Sequence, residues 1–271
     1  MSGDAGGAVV FAVAGGVATV TMDRPANRNA LTPELLNGLG DRLEAAQADP
    51  AVRVIVLGHT GPAFCAGADL SGGSGVEARF GLADVLALIQ DSPQPVVARI
   101  AGHCLGGGVG LAAACDLSVA AEGARFGFSE VRLGVAPAII SVVCLPKMRR
   151  GDALELFLTG ERIAAARAAE VGLISAAVPE GELDAAVDAI VGKVLAGGPG
   201  ALAAAKEMIY DVPRMERGEA FERMTRLSRA LFSSPEAAEG IAAFHEKRRP
   251  AWVPAAAGAH PDRPQQQSSA P

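Results

Sequence analysis

Two glycine-rich stretches carry the spacing that chemistry on a carbonyl would need. They are Phe64-Cys-Ala-Gly-Ala-Asp-Leu70 and Ala101-Gly-His-Cys-Leu-Gly-Gly-Gly-Val-Gly-Leu111. Each follows an apolar run that reads as a buried strand, Val52–Leu57 before the first and Pro95–Ile100 before the second. A strand-to-helix turn leaves backbone N–H groups without intrahelical partners, all pointing one way. The helix dipole adds positive potential there, and small side chains let a ligand oxygen approach the backbone. Two such turns side by side would make a backbone oxyanion hole.

Other uses of glycine turns fit less well. A dinucleotide fingerprint counted from Gly106 and Gly108 needs a third glycine where Leu111 stands, and the cluster lies mid-chain. No Gly-Lys-Ser/Thr follows it, and no Gly-x-Ser-x-Gly elbow is present. The cysteines at 65, 104, 115 and 144 form no CxxC pair, and the histidines at 59, 103, 245 and 260 show no ligand spacing with them, so no metal is expected. Reduced, buried thiols in a cytoplasmic protein are the expectation. A net charge of −6 and 4% aromatic residues speak against nucleic-acid binding. No basic segment precedes an apolar one near the N-terminus and no run of 18 apolar residues occurs, so neither a secretory signal nor a membrane span is expected. With 50% apolar residues in 271, the chain can bury a large core.

The elements that must position these stretches alternate between strand and helix, as in α/β proteins. Val9–Val13 and Val17–Thr21 read as a hairpin about Gly15–Gly16. Thr32-Pro33 opens a helix with Leu35, Leu36, Leu39 and Leu43 on one face. Gly58–Gly75 reads as a loop, Val76–Gln90 as a helix, and Leu117–Ala120 as a further strand. From Gly151 the pattern turns helical: 152–158, 164–171, 183–195, 201–210, 217–231 and 235–247, with one short strand at 174–178. Residues 254–271 are Pro, Ala, Gln and Ser with little apolar bulk and read as a disordered tail.

These stretches, their order and their spacing resemble the enoyl-CoA hydratase/isomerase (crotonase) family. The resemblance extends through Asp23-Arg-Pro25, Asn29-Ala-Leu31, Cys115-Asp-Leu117, Phe126-Gly-Phe-Ser-Glu-Val-Arg-Leu-Gly134, Leu158-Thr-Gly160, Ala168-Ala-Glu-Val-Gly-Leu173 and Ala243-Phe-His-Glu-Lys-Arg-Arg-Pro250. It implies an α/β fold: a crotonase-like spiral of ββα turns over residues 1–198, then a C-terminal helical trimerisation region over 199–253. It implies an acyl-CoA thioester as substrate and a homotrimer or dimer of trimers, with no separate cofactor, since coenzyme A is part of the substrate.

The same resemblance assigns roles. The N–H groups of Ala68 and Gly107 match the two oxyanion donors, and Glu130 matches a catalytic acid/base. Arg28, Ala66, Gly67, Asp69, Leu70, Leu105 and Gly106 match substrate- and CoA-binding positions. Phe244 and Lys247 match a C-terminal pair that reaches CoA, often from a neighbouring subunit. An acyl pocket would lie between the helix expected at 76–90 and a loop around 136–142. One position departs from the pattern. Two-glutamate hydratases carry a second glutamate where this chain has Gly110. The expected activity is hydration of a 2-enoyl-CoA by one glutamate. Double-bond isomerisation and non-catalytic acyl-CoA binding are the alternatives. Family dehalogenases and naphthoate synthases need extra Asp or Tyr groups, and no carboxylate lies between Val131 and Val143. His103 and Asp116 read as structural, Glu122 as solvated, and Glu77 and Asp84 as helix-surface charges.

Overall fold

The computed structural model describes residues 7–70 and 75–254. The tail expected at 254–271 lies, from 255 on, outside the described residues. The chain opens with the hairpin β1 (Val9–Ala14) and β2 (Val17–Met22). Its two-residue turn needs positive φ at both positions, and Gly15 and Gly16 supply 58° and 83°. Helix α1 (Pro33–Ala48) follows, with the Thr32 hydroxyl accepting the Leu35 N–H and with Leu35, Leu39 and Leu43 buried.

The chain then repeats one unit three times. A strand joins a large sheet, a three-residue strand joins a small sheet, and a helix returns. The units are β3 (Val54–His59), β4 (Ala63–Cys65) and α2 (Leu82–Asp91); β5 (Val96–Ile100), β6 (His103–Leu105) and α3 (Gly107–Ala114); and β7 (Leu117–Ala121), β8 (Arg125–Gly127) and α4 (Ala138–Cys144). After α5 (Arg150–Thr159) come β9 (Arg162–Ala164), α6 (Ala165–Glu170) and β10 (Ala176–Val178). The large sheet runs β1-β2-β3-β5-β7-β10 and the small one β4-β6-β8-β9. All pairs are parallel except β1–β2 and β8–β9. This succession is the expected ββα spiral.

Alternation along the strands sorts two cores. Ile55, Leu57, Ala98 and Ile100 face α1, α3 and the small sheet. Val54, Val56, Val97 and Val119 face helix α7 (Leu183–Ala196), which buries Leu183, Val187 and Val191 against them. Helices α8 (Pro199–Asp211), α9 (Arg217–Phe232) and α10 (Pro235–Glu246) complete the chain. Helix α9 buries no residue at all. No single helix is long and apolar enough to cross a membrane among the described residues.

Several expectations need correction. The helix expected at 76–90 begins only at Leu82. The Asp84 carboxylate accepts the Gly81 N–H and fixes the start there. Asp84 is therefore a cap, beyond a surface charge. Upstream, Asn37 holds the chain off helical geometry by donating to the Glu77 carbonyl and accepting the N–H groups of Arg79 and Phe80. The expected 58–75 loop contains β4. The helix expected at 164–171 gives its first residue to β9, and the expected loop at 136–142 is mostly α4.

Candidate active site

Both glycine-rich stretches leave the C-terminal ends of neighbouring parallel strands, β3 and β5. The first is pinned by a residue far back in the chain. Asn29 is fully buried, and its side-chain amide donates to the carbonyls of Thr60 and Ala63 while its Oδ1 accepts the Arg24 N–H. Asn29 takes positive φ (52°), which Asn tolerates better than most residues. The Arg28 carbonyl accepts the Ala66 N–H at 3.0 Å, and Leu31 N–H donates to the Gly67 carbonyl at 2.8 Å. Arg28, Asn29 and Leu31 thus fix the path of 60–68 against the segment after β2.

The second stretch is tied to the first at its base. His59 ends β3, is buried, and its Nε2 accepts the Ala101 N–H at 3.0 Å. Its Nδ1 therefore carries the proton and donates to the Thr60 carbonyl at 3.2 Å. Burial lowers this imidazole to about 4, so it stays neutral at pH 7. Farther along, Cys65 pairs with Cys104 across β4 and β6.

The two turns then touch. Gly67 has φ 93°, and a side chain there would meet the Leu105 carbonyl at 3.1 Å and the Gly107 nitrogen at 3.7 Å. Gly106 has φ 51° and precedes α3. Only glycine suits both positions, by conformation and by space. Among the described residues, the N–H groups of Ala68 and Gly107 donate to no backbone acceptor. Gly107 occupies the first position of α3, where the N–H is unused by the helix.

Glu130 lies over this junction. A Cβ at Gly106 would stand 3.0 Å from Glu130 Oε1. The carboxylate is half-buried, its Oε2 is inaccessible, and that oxygen has no hydrogen-bond partner. Burial raises its pKa above the ordinary carboxylate range, opposed by its own main-chain N–H. A half-buried carboxylate with an unused oxygen can take up and return a proton.

The position expected to hold a second carboxylate is closed. Gly110 is fully buried, and a Cβ there would meet Ile140 Cγ2 at 2.3 Å and Ile140 Cβ at 2.9 Å. Ile140, on α4, lies within the 136–142 stretch expected beside the acyl pocket, but nothing in the sequence pairs it with Gly110. Its signal, a β-branched residue in a seven-residue helix, is indistinguishable from ordinary core.

The remaining site candidates divide. Ala66, Gly67, Asp69, Leu105 and Gly106 line the two turns, and Leu70 projects outward, 75% exposed. Arg28 is exposed beside them and ends a short turn at positive φ. Phe244 and Lys247 are not brought to this site within one chain. Helix α10 packs by Gly240 against Trp252, whose carbonyl accepts from Arg53, at the end of β3 opposite His59. His103 is exposed, and its Nδ1 accepts the Arg125 N–H. Asp116 is structural: it accepts the Val96 N–H and pairs with the buried Lys206 at 2.8 Å. Lys206 also donates to the Ile89 carbonyl, tying α8 beneath the sheet. Glu122 is exposed. All four cysteines are free and buried. Among the described residues, no three His, Cys, Asp or Glu side chains converge as metal ligands would.

The spiral of ββα turns, with paired glycine turns at the strand ends, is the crotonase fold. The enzyme family model described as "Enoyl-CoA hydratase/isomerase" matches residues 12–254. The enoyl-CoA hydratase EchA19 of Mycobacterium tuberculosis is 34% identical over 241 residues, which cover 85% of this chain and 91% of that one. A crystal structure of an enoyl-CoA hydratase from Mycobacterium smegmatis superposes with a TM-score of 0.83 at 33% identity, covering 90% of this chain and 98% of that one. An enoyl-CoA hydratase structure from Bacillus anthracis gives 0.84 at 32% identity, covering 91% and 99%. The chain belongs to the enoyl-CoA hydratase/isomerase family.

Proposed function

We propose that the chain binds an enoyl-CoA thioester with its carbonyl oxygen between the N–H groups of Ala68 and Gly107, and that Glu130 moves protons on the acyl chain. The observation that carries this reading is the placement of the Glu130 carboxylate, whose Oε2 has no partner, with Oε1 over Gly106, one residue from the Gly107 N–H. Negative charge builds on the thioester oxygen as a proton leaves or joins the adjacent carbon. Donors aimed at that oxygen bind the transition state more tightly than the ground state.

Hydration of a 2,3 double bond is favoured by the names of the relatives. Migration of the double bond is favoured by Gly110, because one carboxylate suffices for it. In both readings coenzyme A arrives as part of the substrate. Arg28, Ala66 and Leu70 are suited to its nucleotide and pantetheine portions. Phe244, 80% exposed, and Lys247 would reach it from a neighbouring copy, since α10 is anchored at the far end of β3. A homotrimer, or a dimer of trimers, would also cover the exposed Phe221, Phe232 and Ile209 around the unburied α9.

Glu130→Gln tests the reading. Loss of the proton carrier should lower kcat by about 10²–10⁴-fold with acyl-CoA binding retained. Near-wild-type turnover by this variant would overturn it. Binding without turnover of any enoyl substrate by the wild type would make the chain an acyl-CoA carrier.

A further inference from the structure

One face of the first turn of α3 carries two notches in succession. Gly106 and Gly110 are one turn apart, the Gly110 N–H donating to the Gly106 carbonyl at 3.4 Å. The two positions therefore stack on one face, about 5–6 Å apart. Glu130 Oε1 sits over the first notch and Ile140 Cγ2 fills the second. Ile140 is buried and belongs to the main core, so its side chain is held in place by packing.

Polar groups are scarce around this pair. Between Val131 and Val143 the only polar side chains are Arg132 and Ser141. Arg132 donates to the Thr159 carbonyl, and the Ser141 hydroxyl donates to the carbonyl of Ala138 in its own helix. Beyond Gly110 the helix continues as Leu111-Ala112-Ala113-Ala114, all buried. A reacting water needs two or more polar partners to be held in place. Among the described side chains of 111–114 and 131–143, none is free to join Glu130 in holding it.

We propose that Ile140, seated in the Gly110 notch, is a specificity-determining residue that keeps water from a fixed position beside Glu130 and so directs the site toward double-bond migration. This rests on the reading of Glu130 as proton carrier to an enoyl thioester. The step balances within the substrate. The Glu130 carboxylate takes a proton from C2 of a 3-enoyl thioester. The C2–H electron pair forms C1=C2 as the carbonyl electrons move onto the oxygen facing Ala68 and Gly107. The oxygen electrons then re-form C1=O, the C1=C2 pair moves to C2=C3, and the C3=C4 pair takes the proton back at C4 from the Glu130 carboxylic acid. No water is consumed, and the carboxylate is regenerated.

The test compares wild type, Ile140→Thr and Ile140→Ala on matched 3-enoyl-CoA and 2-enoyl-CoA substrates, with products identified by mass. The threonine variant keeps a branched shape and puts a hydroxyl in the notch, so it reports even if the alanine variant folds poorly. Wild type should yield 2-enoyl-CoA from the 3-enoyl substrate, with little hydroxyacyl-CoA from either. Each variant should move the ratio of hydration to migration by about tenfold or more toward hydration. In deuterated water, wild type should pass mostly the original proton to C4, and the threonine variant should incorporate more deuterium. A wild type that mainly hydrates, or a product ratio and deuterium content unchanged in both variants, would overturn the role of Ile140. Failure of the underlying reading looks different: Glu130→Gln would then keep its turnover, whatever the product ratio.

Discussion

Gly108 offers a sharp test of how closely the two glycine turns must approach. A Cβ added there would lie 2.5 Å from the Cys65 carbonyl oxygen and 2.8 Å from Cys65 Cβ. Both obstacles belong to β4, which is buried at every residue, so neither can turn aside. Relief requires α3 and β4 to part by a large fraction of an ångström, which moves the Gly107 N–H relative to Ala68. Alanine in a helix ordinarily gains roughly 0.5–1 kcal/mol over glycine. Overpacking costs about 1–3 kcal/mol and outweighs that gain. Loss of one aligned donor costs about 2.7–4 kcal/mol, or 10²–10³ in kcat. Gly107→Ala is the control. Its Cβ would meet Leu31 Cδ1 at 2.3 Å, but that atom ends a flexible, half-buried side chain. Steady-state kinetics on an enoyl-CoA and thermal unfolding should therefore show Gly108→Ala about 100-fold slower and less stable. Gly107→Ala should stay within about tenfold of wild type. Equal kcat in Gly108→Ala and wild type, or greater damage from Gly107→Ala, would refute this account.

Further expectations concern ionisation and the buried pair. Glu130 must be ionised to accept a proton, and burial raises its pKa. The acid limb of kcat/KM should therefore rise with pH through a midpoint above 4.5, and a midpoint at or below that value counts against the assignment. His59 is held down to about 4 in the folded chain, against 6.5 unfolded. Between those values the unfolded chain binds a proton that the folded one does not, so stability falls as pH falls from 6.5 towards 4. The total is of the order of 3 kcal/mol. Denaturation at pH 7 and pH 4.5 should show this fall, and His59→Gln should flatten it. Lys206→Met removes the ion-pair partner of the half-buried Asp116 and should cost up to about 3 kcal/mol, while adding Asp116→Asn should recover part of it. Unfolding free energies of the single and double variants check this.

Long, strongly patterned elements were legible in the sequence. The hairpin shows its alternation and paired glycines, and α1 shows its cap and leucine face. The chemistry-bearing stretches were legible as backbone features because glycine at 67 and 106 answers to positive φ and to close contact. The resemblance, rather than any periodicity, singled out Glu130 among many glutamates. The small sheet was not legible, since β4, β6 and β8 are three residues each and too short for alternation to show. Nor was the pairing of Ile140 with Gly110, which depends on two helices meeting in space. In the sequence His59 is one of four histidines without ligand spacing to the cysteines. Its role as a clamp between Thr60 and Ala101 is a backbone hydrogen-bond arrangement that no residue pattern announces.

The burial of Cys65 has a consequence for a protein that handles thioesters. Its sulfur accepts the Gly67 N–H, one residue from a proposed oxyanion donor. A thiolate there could attack an acyl-CoA and carry off the acyl group as a protein thioester. Burial pushes this thiol up to about 12, leaving roughly one molecule in 10⁵ ionised at neutral pH. The same packing that sets the turn thus keeps this sulfur unreactive toward the acyl-CoA thioesters on which the family acts.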